Sequence, residues 1–343
     1  MMTAGEYTRQ EIYSQPNAWN QAIEVIDQHR EAIRNFKKDD QQQIILTGCG
    51  STYHLAKAAA AMLRDMSGFI TFALPASELW LSPKSCYIDS DRNILIAISR
   101  SGETSETIEA CNEFRKNQCG RILTLVCDPA STLSRMGDFN LVFPSGLERS
   151  IAQTRAFTTL YLGLIGLSVI WSGEEEKLHH IHLLPHACQR ILEKYSSKAA
   201  SLGRNENLDR IYFLGSGGRY GLACELSLKM KEMSLSHSEA FHFLEFRHGP
   251  KAMANNKTLV VGLVSETNKL YEEAVLADVG KLGVQIVTMG ENNTDISFVS
   301  GLEEVLRNIL YLPFGQVMAY ERSIAKGLDP DHPTNLDAVV KLH

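Results

Sequence analysis

Short apolar runs without polar interruption punctuate this chain, and each ends near Gly, Ser or Asp before a helix-length pattern begins. The first half carries "IILTGCGSTYHLA" (44–56), "ILIAISRSG" (94–102) and "GRILTLVCD" (120–128); the second carries "IYFLGSGGRYGLA" (211–223), "TLVVGLVSE" (258–266) and "GVQIVTMGE" (283–291). Runs that do not alternate with polar residues predict strands buried on both faces, and helices between them predict parallel pairing through right-handed crossovers. The first member of each set shares Gly48/Gly215, Gly50/Gly217, Tyr53/Tyr220, Leu55/Leu222 and Ala56/Ala223 at an offset of 167, and the order of the others is kept. The pattern predicts a duplication: two tandem three-layer α/β/α domains with parallel sheets, over residues 1–195 and 196–343. The polar stretch "SSKAASLGRNENLDR" (196–210) is the expected junction.

Two further patterns predict helices. "AWNQAIEVIDQHREAIRNF" places Trp19, Ile23, Ile26, Ile33 and Phe36 near helical spacing, with Pro16 and Asn17 at its start, and so predicts a helix docked on the core. From Ala156 to Gly173 no charge occurs over 18 residues, which reaches the length of a membrane span. Its three glycines and four hydroxyl residues, and the lack of a second such stretch, favour a buried helix over a membrane segment.

Length and charge narrow the classes. At 343 residues the chain has room for two cores. A net charge of −6, with 34 Lys and Arg scattered and not clustered, argues against nucleic acid or an anionic membrane as partner. Seven cysteines without a C-x-x-C pair predict free thiols in a reducing cytoplasm, and the polar N-terminus does not read as a signal peptide.

The candidate chemistry gathers at two places. In "SRSGETSET" (99–107), Ser99, Ser101 and Thr104 supply hydroxyl donors, Gly102 admits close backbone approach, and Arg100 adds charge at a strand end that leads into a helix. Ligands of parallel α/β sheets bind there, and a helix N-terminus attracts anions, so the loop suits a phosphate monoester. Helix capping is the other reading of the same residues. The duplicate separates the two, because "GLVSETNK" in the second half lacks the S-x-S-G arrangement. Ser51 and Thr52, in the neighbouring "GCGST" loop, are candidates for the same ligand.

The second half holds "LKMKEMSLSHSEAFHFLEFRHGPKAM" (228–253), with Glu232 followed by His237, His242 and His248. A carboxylate and an imidazole beside a sugar phosphate are what proton shuttling and ring opening need; a solvated surface glutamate is the alternative. "HHIH" (179–182) with His186 invites a metal reading, but no carboxylate or cysteine lies at ligand spacing, and no metal site is expected.

"GCGSTYHLA", "SRSGETSET", "ERSIAQTRAFTT" (148–159), "KMKEMSLSHSEAFHFLEFRHGP" and "GLDPDHPTNL" (327–336) resemble, in family order, the motifs of tandem sugar-isomerase (SIS) domain proteins. The nearest resemblance is to the isomerase half of glutamine–fructose-6-phosphate amidotransferase and to SIS-type aminosugar-6-phosphate deaminases. It implies that Ser99, Arg100, Ser101 and Thr104 hold phosphate, with Ser51, Thr52, Ile151 and Gln153 touching the sugar. It further implies Glu232 as general base and His248 as ring-opening group, the latter delivered by a second subunit of a homodimer.

Three departures point to the deaminase branch. No glutaminase segment or N-terminal cysteine is seen; Ala338 stands where the amidotransferase tail has lysine, with Lys341 three residues on; and Arg100 replaces the glutamine of S-Q-S-G-E-T. The expected reaction converts a hexosamine 6-phosphate, glucosamine 6-phosphate first, into a ketohexose 6-phosphate and ammonia without a cofactor. A related isomerase or fructosamine-6-phosphate deglycase, and a non-catalytic sugar-phosphate sensor, are the rivals.

Overall fold

The computed structural model describes residues 3–37, 43–86 and 91–342. Among the described residues ten strands form two sheets: β1 (Gln43–Gly48), β2 (Ile70–Pro75), β3 (Asn93–Ser99), β4 (Gly120–Val126) and β5 (Phe139–Val142) in one, and β6 (Arg210–Leu214), β7 (His237–Phe241), β8 (Thr258–Leu263), β9 (Gln285–Gly290) and β10 (Ile296–Ser297) in the other. Their orders, β2-β1-β3-β4-β5 and β7-β6-β8-β9-β10, are the same, and every pairing is parallel. The chain leaves the first strand of each sheet in one direction and returns past it in the other. Right-handed crossovers therefore place helices on both faces.

The duplication extends to single residues. β1 sets Gln43 against Ile70 of β2, and β6 sets Arg210 against His237 of β7, both partners at the offset of 167, so these corresponding strands share their register. Gly50 and Gly217 precede the helices Ser51–Ser67 and Gly218–Ser234 with φ, ψ of 57°, −120° and 59°, −136°. That region is closed to most L-residues, which explains why glycine is kept at both places. All seven residues of β3 are buried. Each of its large aliphatic side chains contributes about 1.5–3 kcal/mol by leaving water.

The division into compact units departs from a single cut at 195/196. The first unit comprises Asn17–Glu148, Arg155–His182 and the tail from Asp337; the second comprises the chain up to Pro16, Arg149–Thr154 and Leu183–Leu336. The helix Leu184–Gly203 runs through the expected junction. Beyond its end, the buried Arg322 donates to the carbonyls of Asn205 (3.0 Å) and Leu208 (2.7 Å), which orders the polar stretch.

In the first unit the helix Gln15–Phe36 buries Trp19, Ile23, Ile26, Ile33 and Phe36. The uncharged stretch is the helix Arg155–Ser172, 89% buried inside the fold, which is the signature of a core helix. Trp19 Nε1 donates to Thr158 Oγ1 at 3.0 Å and Trp171 Nε1 to the Ile33 carbonyl at 2.9 Å, so both indoles satisfy their polar edges inside this packing.

Candidate active site

In the first unit, β1 and β3 are neighbours, and their C-terminal ends carry Ser51–Thr52 and Ser99–Thr104 side by side in the sheet. Gly102 has φ 65°, and a Cβ there would stand 2.1 Å from Ser131 Oγ, so only glycine fits. Its N–H donates to Ser99 Oγ at 2.9 Å, and that of Glu103 donates to Ser101 Oγ at 3.2 Å. A hydroxyl that accepts from the backbone keeps its own proton for another acceptor. Thr104 occupies the N-cap position of the helix Ser105–Lys116, yet its hydroxyl makes no capping bond. The Thr104 hydroxyl is therefore not a helix cap, while those of Ser99 and Ser101 also close the loop.

Two neighbouring side chains have other engagements. Thr52 Oγ1 accepts from Cys49 N and donates to the Cys49 carbonyl, both at 2.9 Å, which closes the loop after β1. Arg100 is buried; it donates to the Ala338 carbonyl at 3.0 Å and lies 3.8 Å from Glu148. The tail continues over the start of the helix, where Ser105 N donates to the Val340 carbonyl at 3.3 Å and Leu342 N to Ser105 Oγ at 3.0 Å. Thus Arg100 and Ala338, both singled out in the sequence, are joined by one hydrogen bond. The thiol beside this loop, Cys49, is no nucleophile at neutral pH, because burial pushes its pKa up to about 11.

The second unit carries Glu232, His248, Ile151 and Gln153 on separate elements. Glu232 lies near the end of the helix Gly218–Ser234, one-fifth exposed, with Oε2 2.5 Å from Lys229 Nζ. Lys229 is fully buried, and its ammonium is 3.3 Å from the equally buried Glu225. Burial works against its charge, but Glu225 and Glu232 outweigh that and hold the lysine above its ordinary pKa. Neither Glu225 nor Lys229 was assigned a role from sequence. The repeat held a signal for them, since at an offset of 167 the first unit has Ala58 and Met62 in their places.

Ile151 and Gln153 sit in a loop fastened by residues far away in sequence. Glu11, buried on the helix Glu6–Tyr13, accepts from Arg149 N at 2.6 Å and from the Ser150 hydroxyl. Ile151 N donates to the Asp331 carbonyl at 3.1 Å, while the Asp331 carboxylate accepts from Thr8 N and Oγ1, both at 2.7 Å. Gln153 Oε1 is buried and has no hydrogen-bond partner among the described residues. His248 follows the turn Glu245–Arg247 and is exposed, with Leu244 and Met253 also about half exposed nearby. The rings of His179 and His180 lie 4.0 Å apart, tilted by 50°, and among the described residues no three His, Cys, Asp or Glu groups converge as metal ligands would.

Comparison with known proteins adds the following. The profile of the SIS domain matches residues 39–164 and 206–297. Glutamine–fructose-6-phosphate aminotransferase (isomerizing) of Chlamydia caviae is 29% identical across 96% of the chain, which spans 57% of that protein's length. Glucosamine-6-phosphate deaminase of Thermotoga maritima superposes with a TM-score of 0.81 at 26% identity, covering 98% of this chain and 100% of that one. Tagatose-6-phosphate ketose/aldose isomerase of Escherichia coli does so with a TM-score of 0.86 at 25% identity, covering 98% and 99%.

Proposed function

The chain belongs to the SIS domain family, and from that premise we propose that it is an aminosugar-6-phosphate deaminase that converts glucosamine 6-phosphate into fructose 6-phosphate and ammonia. Ser99, Ser101 and Thr104, at the N-terminus of the helix Ser105–Lys116, grip the phosphate, and binding energy from that grip positions C1 and C2. His248 moves a proton between O1 and the ring oxygen to open the sugar. Glu232 then removes the C2 proton and returns it at C1. The product is the ketimine; water adds at C2 and ammonia leaves, so one water is consumed for each ammonia released. The substrate's own carbonyl and imine stabilise the intermediate, so the chemistry asks for no cofactor.

One observation carries this reading: Glu232 is a partly exposed carboxylate held at 2.5 Å by a fully buried lysine. An oriented, charged carboxylate open to solvent on one side is suited to take a carbon-bound proton. The likeness to the Escherichia coli ketose/aldose isomerase favours a second reading, in which the same proton transfer interconverts a ketose and an aldose phosphate and no ammonia leaves. Seven free cysteines, five of them buried, suit a reducing cytoplasm.

Assays of purified protein against glucosamine, galactosamine and fructosamine 6-phosphates and against ketohexose 6-phosphates, following ammonia and ketose, decide among these. Ammonia from glucosamine 6-phosphate without glutamine supports the proposal. Ketose–aldose interconversion alone supports the second reading, and tight binding without turnover of any of them leaves a sensor. We further place the active unit as a homodimer, because His248 lies exposed between exposed Leu244 and Met253. Mixing inactive Glu232→Gln and His248→Ala chains under subunit exchange is expected to restore about a quarter of wild-type activity if each site draws one residue from either subunit. No recovery after proven exchange assigns both residues to one chain.

A further inference from the structure

The ends of β6 and β8 in the second unit build an anion cradle, and one of the unit's own carboxylates fills it. The loop between β8 and the helix Lys269–Gly280 corresponds by strand register to the Ser99–Thr104 loop, one residue shorter. The backbone N–H groups of Glu266 (2.9 Å) and Thr267 (3.3 Å) and the Thr267 hydroxyl (3.3 Å) all donate to Glu304 Oε2. Arg219, at the place that Thr52 takes in the first unit, donates Nη1 to Glu304 Oε1 and Nη2 to Glu272 Oε1 at 3.0 Å. Glu272 in turn accepts from Ser265 N at 2.6 Å and from its hydroxyl at 3.0 Å. Arg219 and Glu272 are both almost wholly buried.

Two successive amides, a hydroxyl and a guanidinium around one carboxylate form the donor set that elsewhere receives a phosphate or carboxylate ligand. A cavity of about 360 Å³ lies against the same loop, lined by Ser265, Glu266, Lys269, Glu291 and Asn292 among others. The Glu304 side chain is itself about one-quarter exposed, so the cradle is open to solvent. We propose that the second unit retains an oxyanion-binding site, that Glu304 is its built-in occupant, and that this occupant closes the duplicated site to phosphorylated ligands. The inference concerns the second unit's own cradle and stands whether or not the proposed deamination does.

The test is anion rescue of the full-length protein carrying Glu304→Ala, with inorganic phosphate and acetate as probes. Wild type also responds to phosphate through the first unit, so the readout is the rise in Tm beyond the wild-type rise at the same anion concentration. That excess is expected to be roughly 3 °C or more. Adding Arg219→Gln is expected to abolish it, and Glu304→Gln, which keeps the side-chain volume in the cradle, is expected to show none. A Glu304→Ala chain that folds only when acetate or phosphate is present also supports the proposal. If its Tm and refolding yield respond to neither anion beyond wild type, the cradle is not an anion site and the proposal is overturned.

Discussion

The two units share one sheet order and, in β1–β2 and β6–β7, one strand register, yet they place their charges differently. In the helix after β6, the buried positions 225 and 229 hold a glutamate and a lysine; in the helix after β1, Ala58 and Met62 fill the corresponding places and are also buried. The loop after β3 offers hydroxyls at a helix start, whereas its counterpart after β8 is sealed by Glu304. The fold packs as well with alanine and methionine, and burying a lysine between carboxylates carries a desolvation penalty of several kcal/mol per ion. Charge that one copy omits is not there to hold the fold. On the proposed function it marks where the copies have been put to different uses: anion capture in the first unit, a held carboxylate in the second.

The sharpest way to break this comparison is to neutralise corresponding carboxylates. Glu232→Gln is expected to lower kcat by about 10²–10⁴-fold with KM little changed, the contribution of a positioned general base. Asp65→Asn, at the corresponding place in the first unit, is expected to leave both constants alone. Equal losses would erase the distinction between the helices.

Next in size is the buried lysine. Lys229→Met leaves Glu225 buried without its counter-charge and is expected to lower unfolding free energy by about 3–5 kcal/mol, read from the urea midpoint. The double variant Lys229→Met/Glu225→Ala copies Met62 and Ala58. It is expected to recover most of that stability while activity stays low, which separates what the fold needs from what the chemistry needs. A double variant as unstable as the single one would mean that the two helices pack differently.

A smaller effect follows from Glu304. Burial pushes its pKa up, but Arg219 and the amides of Glu266 and Thr267 outweigh that and hold it below the ordinary 4.5. A depressed folded value gives stability that is fully present above the unfolded pKa and is lost as pH falls from there through the folded value. Tm measured from pH 6 down to pH 3 is therefore expected to fall less steeply in Glu304→Gln than in wild type. Parallel curves would contradict the charged cradle.

The sheets, their order and the strand-end loops were legible in the sequence because a parallel strand buried on both faces is written as a continuous apolar run. The copies could be aligned through Gly50 and Gly217, whose backbone angles only glycine adopts readily. The interleaving of the units was not legible. Glu11 and Asp331 fasten the Arg149–Thr154 loop across more than a hundred residues, and no local periodicity records such a bond. Thr52 is instructive in another way: its type and place suited a ligand, but its hydroxyl is engaged with Cys49. Glu225 and Lys229 lay within sight as polar residues at positions that are apolar in the other copy.

Counting sugar-phosphate sites tests the division between the units most directly. Glucitol 6-phosphate is open-chain and has no carbonyl, so it cannot turn over, and calorimetric titration with it reports binding alone. Wild type is expected to bind one equivalent per chain. Ser101→Ala with Thr104→Ala is expected to weaken that binding by roughly 100-fold, the loss of two charge-assisted hydrogen bonds, without lowering Tm. Two equal sites per chain, or a single site indifferent to the double substitution, would contradict the assignment of phosphate capture to the Ser99–Thr104 loop.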